Sequence, residues 1–215
     1  MGKCEIRSLV LGIVGTNVYL LTNKETSEAI IVDPADQADK IIKLCEAENA
    51  VPTAILLTHG HFDHIMAAGE LARDFSLPVY AYSGENALMR SPEANGSAPL
   101  AGFETRFTAD HEVTEGQMLK LAGFRIKVLH TPGHTAGSCC YYLPDEGILL
   151  SGDTLFRGSY GRTDLETGST AAIILSVRRL LKMLPDDTVV LPGHMGRTTI
   201  GFEKKYNPLS EATVW

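Results

Sequence analysis

The chain has 215 residues, 44% of them hydrophobic and 21% charged, and its 26 acidic and 19 basic side chains give a formal charge of −7. This length is enough to bury a full hydrophobic core. No segment concentrates Lys and Arg, and no apolar run approaches the roughly 20 residues that span a bilayer, so we expect neither nucleic acid nor a membrane as a partner.

The first half of the chain alternates β-rich runs with apolar patterns of helical spacing. Its first three runs are joined by tight turns and predict an antiparallel meander that ends at Asp33-Pro34, where proline removes a ladder donor. Asp36 is the predicted cap of the next helix. The predicted elements are strands Ile6–Leu11, Asn17–Thr22 and Ala29–Val32, the helix after Asp36, strand Ala54–Leu57, a helix from about Ile65 to Phe75, and strand Val79–Tyr82.

The second half follows a loose stretch, Ser91–Thr108, that is rich in Pro, Gly, Ser and Ala. This stretch is either an active-site lid or a plain surface loop, and its composition favours the loop. Two hairpins come next, the first turning at Ala122-Gly123. The predicted elements are strands Gln117–Leu121, Phe124–His130, Ser138–Leu143 and Ile148–Ser151, an amphipathic helix from Ser169 to Leu184, strand Thr188–Leu191, and a short helix with an irregular tail, Asn207–Trp215.

The order of elements indicates the fold class. Each half places strands first and helices after, which predicts two sheets packed face to face with helices outside. We therefore expect an α/β fold in four layers, αββα, with residues 1–215 forming one domain.

Cysteine usage and the N-terminus bear on the compartment. The four cysteines, Cys4, Cys45, Cys139 and Cys140, show no disulfide-framework spacing, and Met1–Ile6 lacks the hydrophobic region of a signal peptide. A reducing cytoplasm is the simplest setting.

The stretch Thr58–His64 carries three histidines and an aspartate directly after an apolar run. In extended chain, residues two apart point the same way, so His59 and His61 can hold one ion together. Asp63 and His64 come after the turn and face a different point, which suggests a second ion. Neutral imidazole and carboxylate are ligands that suit Zn, Fe or Mn.

Three later residues repeat this placement at the ends of strands. His134, Asp153 and His194 each follow a predicted strand and a glycine that permits a tight turn. A lone histidine or Gly-Asp pair in a loop is usually surface. Three such positions together with the first cluster predict one composite metal site.

Seven candidate ligands divide into two sets of three and one remaining carboxylate. We expect His59, His61 and His134 to hold the first divalent ion, and Asp63, His64 and His194 the second. Asp153 is left to bridge them, and Asp63 and Asp153 are the candidate catalytic residues. Zinc is the favoured metal, with iron or manganese as alternatives. Two adjacent cations lower the pKa of a shared water and supply a bridging hydroxide, which predicts hydrolysis of an acyl bond.

The other titratable candidates are assigned no role in the chemistry. His111 lies beside Asp110 and Glu112 and is expected to be exposed. His130 ends a strand, which favours a buried, hydrogen-bonded structural role over ligation. Cys139 and Cys140 lie within an apolar strand, where a reactive thiol is not expected.

The motif set T-H-x-H-x-D-H, T-P-G-H-T, G-D-T-L-F and P-G-H resembles the metallo-β-lactamase fold superfamily over nearly the whole chain. The stretch Gly152–Phe156 running on to Gly161–Asp164 is similar to the glyoxalase II and persulfide dioxygenase group. Asp153 argues against true β-lactamases, whose di-zinc members usually carry a cysteine there. Full-length glyoxalase II has a C-terminal helical domain that contacts glutathione. This chain ends soon after His194, so it looks like the short, single-domain type.

The resemblance implies a binuclear metal-dependent thioester hydrolase that acts on a small molecule, S-acylglutathione or a similar thiol ester. A mono-iron persulfide dioxygenase is the first alternative, because that group shares the ligand motif. A lactonase or another metallo-hydrolase of the same fold is a further alternative. A metal-binding module without catalytic activity is the non-enzymatic one. Fold and metal chemistry carry over better than substrate identity.

Arg162 and Tyr160 are the candidate substrate-binding residues. Arg162 lies in a Gly-rich loop after Asp153, and its planar guanidinium suits the carboxylate of an anionic substrate. An ion pair with Asp164 or Glu166 that braces the loop is an equal alternative. Tyr160 is the weaker candidate for the same pocket.

Overall fold

Two six-stranded β-sheets form the centre of the computed structural model, which describes residues 3–210. The first sheet has its strands side by side in chain order. Its first three strands pair antiparallel, as the predicted meander requires, and the rest are parallel. The strands are β1 (Cys4–Leu11), β2 (Thr16–Asn23), β3 (Glu28–Val32), β4 (Val51–Leu56), β5 (Val79–Tyr82) and β6 (His111–Val113).

The second sheet is built from the second half of the chain. The strands of this half are β7 (Met118–Leu121), β8 (Phe124–His130), β9 (Cys139–Leu143), β10 (Ile148–Gly152), β11 (Leu155–Phe156), β12 (Ser159–Tyr160), β13 (Val189–Pro192) and β14 (Thr198–Thr199). The sheet order is β14-β13-β10-β9-β8-β7, and β11 and β12 form a separate two-stranded ribbon. The β7–β8 hairpin turns at Ala122 and Gly123, both with positive φ, as a two-residue turn of this type requires.

The chain has six helices in its described part. They are α1 (Ala38–Ala47), α2 (Phe62–Ile65), α3 (Ala68–Phe75), α4 (Glu85–Arg90), α5 (Thr170–Met183) and α6 (Ile200–Tyr206), with one π-helical turn at Ser97–Ala101. Helices α1 and α3 pack on the outer face of the first sheet, and α5 packs on that of the second. Within residues 3–210, no helix has the length and apolar character needed to cross a membrane.

Alternating side chains along the strands sort the core into three layers. Ile30 and Val32 of β3 face the second sheet, where they meet Ile126 and Tyr141, whereas Ile31 lies in the layer under α1 and α3. A third layer packs α5 against the second sheet. Each fully buried Ile or Leu contributes about 1.5–3 kcal/mol. These layers confirm the predicted four-layer αββα fold.

Two local predictions were wrong. The helix predicted from about Ile65 to Phe75 ends at Phe75 as predicted, but it begins at Ala68 as α3, and Ile65 ends the separate turn α2. The helix is interrupted between them because the N–H of Ala67 donates to the carbonyl of Pro34 at 3.0 Å. Asp36 does not cap α1. The N-cap position is Gln37, in the left-handed region, and Asp36 accepts a hydrogen bond from the Gln37 N–H.

Several elements were not predicted. The stretch 91–108 folds around the buried side chain of Asn95, whose amide donates to the carbonyls of Met89 and Thr105. Helix α4 and the short strands β6, β11, β12 and β14 were also missed. The last five residues of the predicted tail, 211–215, lie outside the described part of the chain.

Candidate metal centre

Four loops that follow β4, β8, β10 and β13 bring all seven candidate ligands to one point. The parallel strands β3, β4, β10 and β13 end on this side of the molecule, so their following loops meet over the seam between the sheets. The potential ligand atoms form three overlapping groups, each within 4.8 Å: His59, His61 and His134; Asp63, His64 and His194; and His59, His64 and Asp153.

The first triad is buried. Nδ1 of His61 lies 2.8 Å from Nε2 of His134. Nδ1 of His134 faces the carbonyl oxygen of Arg162 at 2.8 Å and must carry the proton there, since a carbonyl only accepts. The Nε2 lone pair of His134 therefore points at His61, where only a proton or a cation can be accommodated.

The second triad surrounds Oδ2 of Asp63. This oxygen lies 3.3 Å from Nε2 of His194 and 3.5 Å from Nε2 of His64, and it accepts a hydrogen bond from Thr16 Oγ1 at 2.8 Å. Asp63 and His64 lie in α2, His194 follows β13 of the second sheet, and Thr16 begins β2 of the first sheet. The carboxylate is therefore held between groups from both sheets.

Asp153 lies between the two triads. Its Oδ2 is 3.5 Å from Nε2 of His134 in the first triad and 3.4 Å from Nε2 of His194 in the second. Its Oδ1 is 3.5 Å from Nε2 of His64. This is the position that the expected bridging role requires.

The donor atoms fit a pair of divalent cations. Of the candidate ligands, all of them within the described residues, four present a buried atom without a hydrogen-bond partner: His59 Nε2, His61 Nε2, His64 Nε2 and Asp153 Oδ1. Leaving a buried polar atom unpaired costs about 1–3 kcal/mol, more for a charged one. Four such atoms that converge from the segments after β4 and β10, all of types that zinc or iron accepts, indicate a metal site.

Partners behind the ligands orient their rings. Oγ1 of Thr58 donates to Asp33 at 2.7 Å and so accepts from Nδ1 of His59, 3.2 Å away. Nδ1 of His64 lies 3.0 Å from Oδ2 of Asp33. Both rings thus carry their proton on Nδ1 and present Nε2 to the site, the arrangement typical of metal-binding histidines.

Asp33 is a functional residue that the sequence analysis missed. Asp33-Pro34 was interpreted only as a strand stop, although it is one more acidic residue directly after a strand, like Asp153 after β10. Burial and its three hydrogen bonds, from Thr58 N, Thr58 Oγ1 and His64 Nδ1, place it in support of the centre.

Two glycines let the loops approach closely. A Cβ on Gly193 would lie 2.2 Å from Oδ1 of Asp153 and 2.7 Å from Cε1 of His64. Gly152 has φ +47°, and a Cβ there would lie 2.3 Å from Oγ1 of Thr58. Any side chain at either position would displace a ligand or its support.

The pKa values of the site follow from burial and from the mixture of histidines and carboxylates. Burial, and then the neighbouring histidines, lower the pKa of His59, and burial with His134 lowers the pKa of His61 to about 3. Burial alone would lower the pKa of His64, but Asp63, Asp153 and Asp33 raise it to about 9.

His194 and the carboxylates complete the pattern. Burial opposes ionisation of His194, yet hydrogen bonds with Asp153 and Asp63 raise its pKa to about 10. Burial alone would raise the pKa of Asp63 and of Asp153, but the neighbouring His64 and His194 have the larger effect and lower both pKa values below the usual range. Since ligating imidazoles are neutral, cations that bind here must displace protons from His64 and His194.

A cavity of about 650 Å³ opens above the centre. Its polar floor is formed by five of the seven candidate ligands, and its walls are mostly apolar. The lining residues besides the ligands are Ile13, Val14, Phe62, Asn95, Leu100, Phe156, Arg162 and Leu165. Leu100 and Asn95 come from the 91–108 stretch, so this stretch forms part of the wall.

The two candidate substrate-binding residues are placed differently. Arg162 lines the cavity, but its Nε and Nη2 atoms donate to the two carboxylate oxygens of Asp164, each at 2.7 Å, and its side chain is 55% exposed. Tyr160 packs against the core layer under α5 and is not among the described residues that line the cavity.

The remaining histidines lie outside the centre. His111 is exposed, as expected, and stacks on Tyr80. His130 is only half-buried, stacks on Tyr82 and shares a hydrogen bond with the carbonyl of Ala136, so its structural role is confirmed but its full burial is not. The four cysteines are free, and Cys139 and Cys140 are buried.

Curated relatives align along nearly the entire chain. A protein named "Probable metallo-hydrolase YqgX" from Bacillus subtilis is 37% identical over 203 residues, covering 94% of this chain and 95% of the relative. "Hydroxyacylglutathione hydrolase GloC" from Haemophilus influenzae is 34% identical over 194 residues, covering 89% of this chain and 91% of the relative.

Solved structures share the fold. The structure named "BLEG-1 B3 metallo-beta-lactamase" has a TM-score of 0.91 and 40% identity and covers 96% of this chain and 100% of its own. TTHA1623 in a di-iron-bound form has a TM-score of 0.83 and 36% identity, and the match covers 94% of this chain and 98% of that one. ETHE1 from Myxococcus xanthus has a TM-score of 0.79 and 29% identity, and the match covers 95% of this chain and 83% of that one.

The family model described as "Metallo-beta-lactamase superfamily" matches residues 11–194, a range that begins at the end of β1 and ends at the candidate ligand His194. With its fold, its His/Asp metal centre and these relatives, the chain belongs to the metallo-β-lactamase superfamily.

Proposed function

We propose that this protein is a binuclear metal-dependent hydrolase that cleaves a thioester, S-acylglutathione or a similar thiol ester. The observation that carries the proposal is the placement of Asp153 between a triad of three histidines and a triad of two histidines and an aspartate, at the floor of an open cavity. The resemblance to a relative named hydroxyacylglutathione hydrolase supports the thioester as substrate class. A relative named as a metallo-hydrolase supports hydrolysis itself.

His59, His61 and His134 would hold one divalent cation and Asp63, His64 and His194 the other, with Asp153 shared. When bound, such cations act as Lewis acids and lower the pKa of water, which provides a nucleophile at neutral pH. The similarity to a di-iron-bound structure makes iron as well as zinc a candidate.

The chain's own groups prepare the reaction. In hydrolysis, a C–O bond forms at the acyl carbon, the C–S bond breaks, and the departing sulfur takes up a proton. The lowered pKa values of Asp63 and Asp153 keep both carboxylates negatively charged at the cavity floor, where each can hold a cation or orient a water molecule by accepting its hydrogen bond. Thr16 Oγ1 holds Asp63 Oδ2 in place at 2.8 Å, so this oxygen keeps its orientation.

The cavity walls fit an acyl thioester better than a highly charged ligand. Ile13, Val14 and Leu100 line the mouth, and the side chains of Ile13 and Leu100 are 73% and 54% exposed. Exposed apolar side chains at a cavity mouth are typical of ligand contacts. Among the described residues that line the cavity, Arg162 is the single Lys or Arg. We propose that its guanidinium exchanges Asp164 for a substrate carboxylate.

A mono-iron persulfide dioxygenase is the second candidate, because Gly152–Phe156 and Gly161–Asp164 resemble that group as well as glyoxalase II. That activity would require one iron and consumption of oxygen. The similarity to a structure named as a B3 metallo-β-lactamase makes a β-lactam, alongside a lactone, a necessary comparison substrate.

A substrate screen tests the proposal. Protein loaded with zinc or with iron is offered S-lactoylglutathione, a neutral thioester, a lactone and a β-lactam, and product release is followed with the metal-chelated protein as control. We expect the fastest turnover on a thioester. Turnover confined to the β-lactam or the lactone would contradict the substrate class, and no hydrolysis of any of the four would contradict the reaction type.

A further inference from the structure

Glu85 is a buried carboxylate that belongs to neither triad. It is the first residue of α4 and is 2% exposed. Its Oε2 accepts a hydrogen bond from the N–H of Gly60 at 2.6 Å. Its Oε1 accepts from the N–H of Gly137 and from Oγ1 of Thr135, both at 2.9 Å.

These three donors flank the ligands of the first triad. Gly60 lies between His59 and His61, in the loop after β4 of the first sheet. Thr135 directly follows His134, in the loop after β8 of the second sheet. One carboxylate therefore joins the two loops whose ligands must meet on the same ion.

The glycines on both loops make this contact possible. A Cβ on Gly137 would lie 2.5 Å from Oε1 of Glu85, and one on Gly60 would lie 3.0 Å from Oε2 and 2.7 Å from Cγ of Met89. Neither glycine has a positive φ, so space and not backbone conformation excludes a side chain there. The backbones of both loops therefore lie in direct contact with the Glu85 carboxylate.

Burying the carboxylate of Glu85 costs free energy, because the charged group loses its solvation. Burial raises the pKa of Glu85, and the hydrogen bonds from Thr135, Gly60 and Gly137 act in the opposite direction. Among the described residues no Lys or Arg forms an ion pair with Glu85. Burying a charged carboxylate lowers the stability of the fold unless its hydrogen bonds compensate for the lost solvation. We therefore take the three hydrogen bonds to be the role of Glu85.

We propose that Glu85 is a positioning residue for the first metal triad, setting the separation of His59 and His61 from His134 through its bonds to the two loops. The proposal rests on the metal centre of the proposed function and not on its substrate. Metal affinity tests it whether or not the protein hydrolyses thioesters.

The variant Glu85→Gln has the same size and hydrogen-bonds differently. A carboxylate has two acceptor oxygens, one for each loop, whereas an amide has one acceptor and one donor. The amide oxygen can accept a hydrogen bond from the N–H of Gly60 or of Gly137. The NH₂ group then faces the other N–H, and two donors cannot form a hydrogen bond. The side chain then no longer joins the loops.

Glu203→Gln is the matched control. Glu203 is fully buried and also accepts from backbone and side-chain donors: Gly158 N–H, Thr198 Oγ1 and Asn207 Nδ2. Its bonds join α6 to the β11–β12 turn and touch neither loop of the first triad. Glu203→Gln therefore reports the general effect of placing an amide at a buried carboxylate.

The experiment measures the affinity of each triad separately. Zinc affinity is determined by competition with a chelator in a His194→Ala background, where the first triad is intact, and in a His61→Ala background, where the second is. We expect Glu85→Gln to lose about ten- to a hundredfold in affinity at the first triad, the usual effect of removing a partner behind a metal ligand. We expect little change at the second triad, and Glu203→Gln should leave both unchanged.

The electronic spectrum of the cobalt(II)-loaded first triad gives an independent readout, because ligand geometry determines its band positions. A shifted spectrum in Glu85→Gln supports positioning. Unchanged affinity and spectrum at the first triad would overturn the proposal, as would equal losses in Glu203→Gln. If Glu85→Gln does not fold, Thr135→Val removes one of the three donors at nearly constant volume. It should weaken the first triad several-fold, and unaltered zinc affinity in that variant would overturn the proposal equally.

Discussion

Nδ1 of His64 lies 3.0 Å from Oδ2 of Asp33, and both side chains are buried. The contact turns the imidazole so that its other nitrogen faces Asp63 and Asp153. The same carboxylate accepts from Thr58, whose hydroxyl contacts the ring of His59. Asp33 thus sets the orientation of one ligand in each triad.

Replacement of Asp33 by Asn should weaken metal binding at both triads. The amide would face either Thr58 or His64 with a donor, so one ring would lose its acceptor. We expect metal affinity to fall about ten- to a hundredfold, measured by chelator competition. Asp39→Asn, on the exposed face of α1 where Asp39 pairs with Lys43, is the control and should bind metal as the unmodified protein does. Equal affinities in the two variants would show that Asp33 does not support the ligands.

Asp153→Asn should lose at least one of two bound ions. The neutral side chain has one acceptor oxygen in place of the two that face His64, His134 and His194. Metal content per chain after dialysis measures the effect. His111→Ala removes an exposed histidine outside the centre and should keep both ions. Two ions retained in Asp153→Asn would refute the bridging role.

Arg162→Ala and Asp164→Ala form a pair that separates substrate binding from bracing of the loop. If the guanidinium binds a substrate carboxylate, Arg162→Ala should raise KM for a carboxylate-bearing thioester about three- to tenfold and leave kcat nearly unchanged. Asp164→Ala frees the guanidinium and should lower KM.

A neutral thioester of similar size is the control substrate and should be insensitive to both changes. If instead the ion pair braces the loop, both variants will impair both substrates alike, and the substrate-binding role is then excluded.

The cysteines should be unreactive in the native protein. Burial raises the pKa of Cys45 and Cys140 to about 11 and of Cys4 to about 12, and it raises the pKa of Cys139 well above its usual value. A thiol with a raised pKa stays protonated at neutral pH, and only the thiolate reacts. We expect iodoacetamide labelling to be slow at pH 8, to accelerate toward pH 11, and to be fast at pH 8 after denaturation. Mass spectrometry measures the labelling, and rapid labelling of the native protein at pH 8 would contradict the expected protection of the cysteines.

The sequence brings out the candidate ligands because they lie in local patterns: four belong to the Thr58–His64 cluster after a strand, and His134, Asp153 and His194 each follow a strand and a glycine. Strand β8, Phe124–His130, is predicted to the residue, since it is bounded by a two-residue turn and the T-P-G-H loop. The two-stranded ribbon of β11 and β12 and the strand β14 are each too short for periodicity to register.

The supporting residues are harder to predict because their roles depend on distant partners. Asp33 bonds to residues 25 and 31 positions away, and Glu85 bonds to residues 25, 50 and 52 positions away. The break between α2 and α3 depends likewise on the carbonyl of Pro34. No local pattern contains this information, and the folded arrangement of the two sheets supplies it.

The central claim, a two-ion hydrolase, is tested most directly by one preparation assayed for metal content, thiol release and oxygen uptake. We expect two ions per chain and thiol released from S-lactoylglutathione with no oxygen consumed. One iron per chain, with oxygen consumed on a persulfide and no thiol released from the thioester, would contradict it.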